Sequence, residues 1–176
     1  MRMTACCSFL WRYCLFACAR RKMSLDRRDV HVLLAEDDPD DRLLIRRAFH
    51  AVAPGSTITM VPDGEEVLEY LYRRGRYGDP VECPWPSLIL LDLNMPRKDG
   101  HQVVREIKAV TDFRSIPIVI LSTSVSEQDI SLSYELGVNA FISKPPSFSK
   151  LKKTVRLLSD FWFDVVKLPP GQGVLL

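Results

Sequence analysis

Residues 88–100 read LILLDLNMPRKDG and give the first indication of the architecture. Four aliphatic residues in a row, Leu88 to Leu91, are followed directly by the acid Asp92. An uninterrupted aliphatic run is typical of a strand that is covered on both faces, as in the middle of a parallel sheet. No helix starts directly after this strand, so Asp92 has no local helix to cap. We therefore interpret Asp92 as a functional residue at the end of a central strand.

The same alternation of aliphatic runs and helical periods extends from residue 30 to about residue 166. It predicts five strands, at residues 30–35, 57–61, 88–91, 116–121 and 140–142. It predicts five helices, at residues 40–52, 65–73, 101–110, 126–136 and 147–166, and a loop at residues 74–87 in which Trp85 covers an edge of the core. Strands that alternate with helices favour an α/β fold, here a doubly wound five-stranded parallel sheet of flavodoxin-like order.

Polar side chains follow four of these strands, at the edge where such sheets bind ligands. They are Glu36, Asp37 and Asp38 after the first strand, Asp92 after the third, Ser122 and Thr123 after the fourth, and Lys144 after the fifth. Crowded carboxylates repel one another unless a cation lies among them, and an oxygen-only acidic cluster suits Mg²⁺. With that charge neutralised, Asp92 is a possible nucleophile toward phosphorus. Lys144 would bind a phosphoryl oxygen, and Ser122 would donate a hydrogen bond to another.

Apart from Asp92, most of these residues also have an ordinary structural explanation. Asp38 precedes Pro39 and fits a helix N-cap, and Glu36 and Asp37 could belong to the same helix start. A lysine considered alone is more often solvated, and a serine after a strand is often a turn residue. The joint placement at four strand ends is what favours the functional interpretation.

Residues 92–100, DLNMPRKDG, resemble the phosphoacceptor loop of bacterial response regulator receiver domains. The other marks of that family occur in register: an acidic pair closes the first strand, Ser122 lies 30 residues after Asp92, and Lys144-Pro145 begins 22 residues later. The resemblance covers roughly residues 30–166, and the combination of motifs is highly specific. It implies a (βα)5 receiver fold and phosphorylation of Asp92 by a sensor histidine kinase.

The resemblance also implies a Mg²⁺ site and its ligands. Asp92 and Asp37 would bind the metal directly, Glu36 would assist through a metal-bound water, and Asn94 would supply its backbone carbonyl.

A second set of residues matches the switch positions of the family. Ser122 is the switch hydroxyl, Thr123 is the small residue beside the acceptor, and Phe141 is the switch aromatic. Because Phe141 lacks a hydroxyl, any switching there would depend on packing alone.

Within the family, the likeness is greatest to small stand-alone regulators paired with bacterial phytochromes and similar multidomain histidine kinases. It rests on Leu121-Ser122-Thr123-Ser124, the long loop before the third strand, and Phe161-Trp162. We therefore expect a phytochrome-type kinase as donor. About ten residues follow Val166, so we expect output through a downstream protein target or phosphotransfer protein.

The last predicted helix carries more apolar side chains than one buried face requires. Phe161, Trp162 and Val165 form a possible homodimer face, because unpartnered aromatic surface often marks an interface. The alternative is that Trp162 packs on its own core.

The termini and composition suggest one receiver domain at residues 29–168, an extension at residues 1–28 and a tail at residues 169–176. Residues 1–22 carry a net charge of +5, which leaves −3 for the rest, so we expect no nucleic-acid partner. Four of the five cysteines lie in the first 18 residues, which suggests a reducing cytoplasm rather than a disulfide-bonded chain. Residues 5–19 are apolar, but the stretch is short and interrupted by Arg12, so we expect no membrane span. Three interpretations of residues 1–22 are left: translation of the native protein begins at Met23, the segment is disordered, or it associates with a membrane.

Three functions remain after these observations. A phosphorylated signalling receiver, which is not an enzyme, fits all the motifs. A receiver-like binding module that does not use phosphate is disfavoured by the intact Asp37, Asp92, Ser122 and Lys144. An aspartate-nucleophile phosphohydrolase is disfavoured because such enzymes typically need a second acid two residues after the nucleophile, where this chain has Asn94.

Overall fold

The computed structural model describes residues 30–169, so the predicted extension at residues 1–28 and residues 170–176 of the predicted tail lie outside the described part. Five strands form one sheet: β1 (His31–Ala35), β2 (Thr57–Val61), β3 (Leu88–Leu91), β4 (Ile118–Ser122) and β5 (Ala140–Ser143). All neighbouring strands are parallel, in the order β2-β1-β3-β4-β5. This order confirms the predicted doubly wound, flavodoxin-like sheet.

One α-helix follows each strand: α1 (Pro39–Val52), α2 (Gly64–Leu71), α3 (Gly100–Ala109), α4 (Glu127–Glu135) and α5 (Phe148–Ser159). Each begins after a side chain that accepts a hydrogen bond from the first turn; these N-caps are Asp38, Asp63, Asp99, Ser126 and Ser147. Such caps satisfy N–H groups that have no partner inside the helix. The structural explanation considered for Asp38 is therefore correct.

The sheet divides the core into two layers. One face packs against α2 and α3, and the other against α1 and α5. Every residue of β1, β3 and β4 is buried, as expected for strands covered on both faces. Trp85 packs at the rim of the first layer against Phe113, as predicted.

Several predicted boundaries were wrong, and the end of α5 differs most. The α-helix ends at Ser159, and a π-helix continues from Asp160 to Val165 where we predicted a single helix to residue 166. The wider turn has a packing reason: Leu158 and Phe163 are five residues apart, and both are buried in the same layer.

Three smaller corrections concern β4, α2 and the loop. β4 begins two residues later than predicted, because Pro117 has no N–H for the ladder and Ile116 closes a turn onto Phe113. α2 ends at Leu71 rather than residue 73, since Arg73 adopts a left-handed conformation with φ of 53°. The loop at residues 74–87 contains a short 3₁₀ helix, Gly75–Tyr77.

Within residues 30–169, no helix is both long and apolar enough to cross a membrane.

A buried histidine ties β1 to the long loop. Tyr70 donates its hydroxyl proton to the Pro84 carbonyl at 2.6 Å and lies 2.9 Å from His31 Nε2. His31 Nε2 must therefore carry a proton and donate to Tyr70, which leaves Nδ1 to accept from Thr57 at 2.9 Å. Burial of this neutral ring lowers the pKa of His31 to about 4.

We expect the free energy of unfolding to fall as the pH drops from about 6.5 toward 4, the interval between the pKa of His31 in the unfolded and folded chains. In that window the unfolded state binds the extra proton, so acid favours unfolding; above the window His31 contributes no pH dependence. The loss is at most about 3 kcal/mol. Urea denaturation at several pH values should show a shallower dependence for His31→Gln, and equal slopes for the two proteins between pH 7 and pH 5 would contradict this.

Candidate functional site

The site lies at the carboxyl ends of the strands. The Lys144 ammonium lies 2.7 Å from Asp92 Oδ2 and 2.6 Å from Glu36 Oε2. Glu36 and Asp92 are 1% and 4% exposed, so both carboxylates are almost completely removed from water. The structure therefore brings together Glu36, Asp92 and Lys144, which the sequence predicted to lie at the ends of three strands.

The sheet register explains this convergence. Ala35 pairs with Leu91, and the Asp92 N–H donates to the Ala35 carbonyl at 3.0 Å, so Glu36 and Asp92 leave the sheet side by side. The Lys144 N–H donates to the Ser122 carbonyl at 2.8 Å, which fixes the lysine at the end of β4.

Backbone hydrogen bonds orient the Asp92 carboxylate. Oδ1 accepts from the N–H groups of Leu93 at 2.6 Å and Asn94 at 3.3 Å, and this leaves Oδ2 for Lys144. The loop then returns so closely that a Cβ at Gly100 would lie 2.5 Å from the Asp92 carbonyl oxygen. Only glycine fits there without moving the strand end that carries the acid.

Three acids are arranged so that they could hold a metal ion. One oxygen from each of Glu36, Asp37 and Asp92 lies within 4.8 Å of the others, with Asp37 exposed and the other two buried. This oxygen-only donor set fits Mg²⁺. The Asn94 carbonyl, the fourth predicted ligand, belongs to the residue two positions after Asp92.

Burial and charge shift two of the ionisable groups. Burial raises the pKa of Glu36 to about 7, against the opposing effect of its hydrogen bond to Lys144. For Lys144 burial acts to lower the pKa, but hydrogen bonds to Asp92, Glu36 and Asp41 outweigh it and raise the pKa. Lys144 is therefore a fixed positive charge within the site.

Sequence reasoning missed a third carboxylate on Lys144. Asp41, in the first turn of α1, lies 2.9 Å from the ammonium. No local pattern singles out Asp41 among the acids at residues 36–41, because its contact with Lys144 joins residues 103 positions apart in the chain. The neighbouring Arg42 donates to the carbonyls of Glu36 at 2.5 Å and Asp37 at 2.9 Å, which holds the acidic turn in place.

Sequence reasoning also missed an ion pair that supports the acceptor loop. Arg97 has a left-handed backbone with φ of 65°, which is uncommon for a residue with a side chain. Its guanidinium forms an ion pair with Asp63, a buried acid that also caps α2. No local pattern marks this contact, because the two residues come from different strand–helix connections.

The three predicted switch residues lie on or next to β4 and β5. Ser122 is completely buried, and its hydroxyl accepts from the Ser124 N–H at 3.4 Å. Thr123 is exposed at the rim of the site. Phe141 is half-buried against the core, and its N–H donates to the Tyr134 hydroxyl at 3.3 Å.

The predicted dimer-face residues differ in exposure. Phe161 and Val165 are 53% and 68% exposed, whereas Trp162 is half-buried and packs against its own core. The rings of Phe161 and Trp162 meet edge to face, with centroids 5.4 Å apart.

Comparison with known proteins identifies the family. The response regulator receiver domain family matches residues 32–156. The chain belongs to this family. Its members act in two-component signalling, generally as phosphoacceptors rather than as enzymes, which confirms the predicted resemblance.

Three relatives indicate which members of the family this chain resembles. Response regulator Rcp1 of Synechocystis is 38% identical over 138 residues, which cover 78% of this chain and 92% of Rcp1. The crystal structure of the phosphorylated cyanobacterial phytochrome response regulator RcpA is 39% identical, with a TM-score of 0.75 over 80% of this chain and 99% of RcpA. RPA3017, a response regulator in red light signalling of R. palustris, is 37% identical, with a TM-score of 0.76 over 80% of this chain and 99% of that protein. The chain thus resembles the phytochrome-type regulators, as predicted.

We expect Mg²⁺ affinity to weaken by up to about tenfold between pH 7.5 and pH 6, because a metal must displace the proton that Glu36 holds below its pKa of about 7. Isothermal titration calorimetry across this range should show a flatter profile for Glu36→Gln, and Glu69→Gln, which changes an exposed acid on α2, serves as control. Parallel profiles for all three proteins would show that metal binding does not displace a proton from Glu36.

Proposed function

We propose that this protein is a response regulator that accepts a phosphoryl group on Asp92. The observation that supports this most directly is the position of Lys144, whose ammonium lies within 2.7 Å of both the Asp92 carboxylate and the Glu36 carboxylate. A nucleophile, a fixed cation and an acidic cluster thus share one edge of the sheet.

The chemistry follows from these positions. Asp92 Oδ2 attacks the phosphorus of a donor, and the donor's leaving group takes the electron pair of the broken bond. Lys144 then binds an oxygen of the transferred group as a point charge. Mg²⁺ held by Asp37, Asp92 and Glu36, with the Asn94 carbonyl as a further ligand, would supply positive charge against the phosphoryl oxygens. The Mn²⁺-bound form of the relative Rcp1 supports a divalent metal at such a site.

The output is a change in protein contacts. The phosphoryl group offers an acceptor for the Ser122 hydroxyl, which would then leave the Ser124 N–H. Phe141 packs into the space beside β4, and the surface of α4, β5 and α5 changes with it. Thr123, exposed at the rim, limits the bulk beside the acceptor.

The donor we propose is a sensor histidine kinase of the phytochrome type, on the basis of the likeness to RcpA and RPA3017. The recipient is a downstream protein target or a phosphotransfer protein, and slow self-dephosphorylation would reset the signal.

We further propose that the receiver domain spans residues 29–168 and that the protein acts in the cytoplasm, where kinases of this kind have access to ATP.

We expect incubation with acetyl phosphate and Mg²⁺ to add one phosphoryl group by intact mass, because the Asp92 carboxylate is buried beside its cation. Asp92→Asn should gain none, and Asp112→Asn, which alters an exposed acid elsewhere, should behave like the natural protein. An unmodified natural protein would favour the phosphate-independent binding module. Rapid turnover of unrelated phosphate esters would favour the phosphohydrolase.

A homodimer is part of the same proposal. Leu157, Phe161 and Val165 are 61%, 53% and 68% exposed and follow one another at four-residue intervals from the end of α5 into the π-helix. Beside them, a cavity of about 360 Å³ is lined by Ala140 and Trp162 among others. Isolated apolar residues on a surface are ordinary, but an apolar strip next to a groove on an edge strand suits a second copy of the chain.

We expect size-exclusion chromatography with light scattering to report a dimer at about 100 µM, and Phe161→Glu to shift it toward monomer by placing a charge in the apolar contact. Val81→Glu, at an 86% exposed loop position, should leave the mass unchanged. A monomeric natural protein, or a Phe161→Glu protein that remains dimeric, would contradict the dimer face.

A further inference from the structure

The Lys144 ammonium has three N–H donors, and three carboxylates take them up. Glu36 lies at 2.6 Å, Asp92 at 2.7 Å and Asp41 at 2.9 Å. Glu36 and Asp92 are buried and belong to the acidic site already described, whereas the Asp41 side chain is 37% exposed. Asp41 therefore neutralises Lys144 from the solvent side.

Asp41 also borders an open cavity beside Lys144. This cavity of about 470 Å³ is bordered by Asp41, Thr123 and Lys144 and continues between α1 and the start of α5, toward Phe148. An anion that enters from this side meets the Asp41 carboxylate together with the ammonium that should attract it. Arg42, the nearest positive charge along the chain, directs its guanidinium to two backbone carbonyls instead.

We propose that Asp41 is a specificity-determining residue that disfavours small anionic phosphodonors at this site. The proposal rests on the phosphoacceptor function proposed above. A small acyl phosphate depends on electrostatic attraction to reach and occupy the site, so a carboxylate next to Lys144 slows its reaction. A protein donor is positioned by the area of its own interface and depends less on that attraction. The residue would thus limit phosphorylation by free acyl phosphates.

The expected size of the effect is modest, because Asp41 is partly exposed and salt screens exposed charges. One unit charge a few Å from a dianion, in a partly aqueous environment, corresponds to about a three- to tenfold change in rate at low salt. The change should shrink toward one as the ionic strength rises to about 0.5 M, where the screening length is only a few Å.

Asp40 provides a matched control. It precedes Asp41 in the same first turn of α1 and is likewise an acid near the helix N-terminus, so both stabilise the helix dipole similarly. Asp41 is the neighbour whose carboxylate is bonded to Lys144. Asp41→Asn and Asp40→Asn therefore separate the contact with Lys144 from a general effect of charge or helix stability.

The experiment measures the rate of phosphoryl transfer to the full chain from two donors in the presence of Mg²⁺. Acetyl phosphate carries two negative charges near neutral pH, and phosphoramidate carries one. We expect Asp41→Asn to react with acetyl phosphate about three- to tenfold faster than the natural protein at low salt, mainly through a lower apparent KM. The gain should be smaller with phosphoramidate. Asp41→Glu, which keeps the charge, should react slowly again, and Asp40→Asn should match the natural protein.

Thermal melts verify that each variant is folded. An Asp41→Asn protein that reacts at the natural rate or more slowly would overturn the inference, since Asp41 would then serve only to orient Lys144 or do nothing. Equal acceleration by Asp40→Asn would overturn it as well. A natural protein that accepts no phosphoryl group from either donor would instead disprove the phosphoacceptor function itself.

Discussion

The interaction on which the site depends is the burial of one ammonium among carboxylates. Glu36 and Asp92 are both removed from water, and two buried carboxylates at adjacent strand ends would repel each other without a cation. Lys144 supplies that cation from β5, which lies two strands away from β3 in the sheet. A long, flexible side chain is needed to span β4, and its ammonium can approach several oxygens at once. The strand order therefore explains the choice of lysine: β4 separates β5 from β3, and the lysine side chain is long enough to reach Asp92 across that distance.

A second constraint holds the acceptor itself in place. Asp92 leaves β3 into a loop that returns to within contact of its own carbonyl at Gly100, and the ion pair between Arg97 and Asp63 joins this loop to the start of α2. Arg97 adopts a backbone conformation that is unfavourable for a residue with a side chain, and such conformations persist only where the surroundings enforce them. The acceptor carboxylate is thus oriented by two backbone N–H groups whose own positions are fixed from both ends of the loop.

The strands and the main site residues were accessible from sequence because they follow from local rules. The four aliphatic residues Leu88 to Leu91 predict a central strand by composition alone. Parallel strands then bring Glu36, Asp92 and Lys144 to one edge of the sheet, regardless of where the helices begin and end. The features that were missed depend on contacts between distant segments. The π-helix after Ser159 exists because Phe163 must reach the layer that contains Leu158, and nothing in residues 160–165 by themselves requires that turn. The pairing of Arg97 with Asp63 is of the same kind. The contact between Asp41 and Lys144 is also of this kind, because it joins residues 103 positions apart.

Hydrogen bonds between α4 and its neighbours suggest a route by which the proposed phosphorylation of Asp92 would reach the surface. α4 buries only Ser133 among its nine residues, so little apolar packing holds it against the sheet. Polar contacts do so instead, and two of them lead to the switch residues. At the start of α4, the Asp129 carboxylate accepts from the Ser124 hydroxyl at 2.5 Å, and the Ser124 N–H in turn donates to the Ser122 hydroxyl. At the end of α4, the Tyr134 hydroxyl accepts from the Phe141 N–H. Elements with few buried apolar contacts open at low free-energy cost. The proposed displacement of Ser122 and repacking of Phe141 would therefore act on opposite ends of the same weakly held helix. The missing hydroxyl at Phe141 does not break this link, because the contact with Tyr134 uses the backbone of residue 141 rather than its side chain.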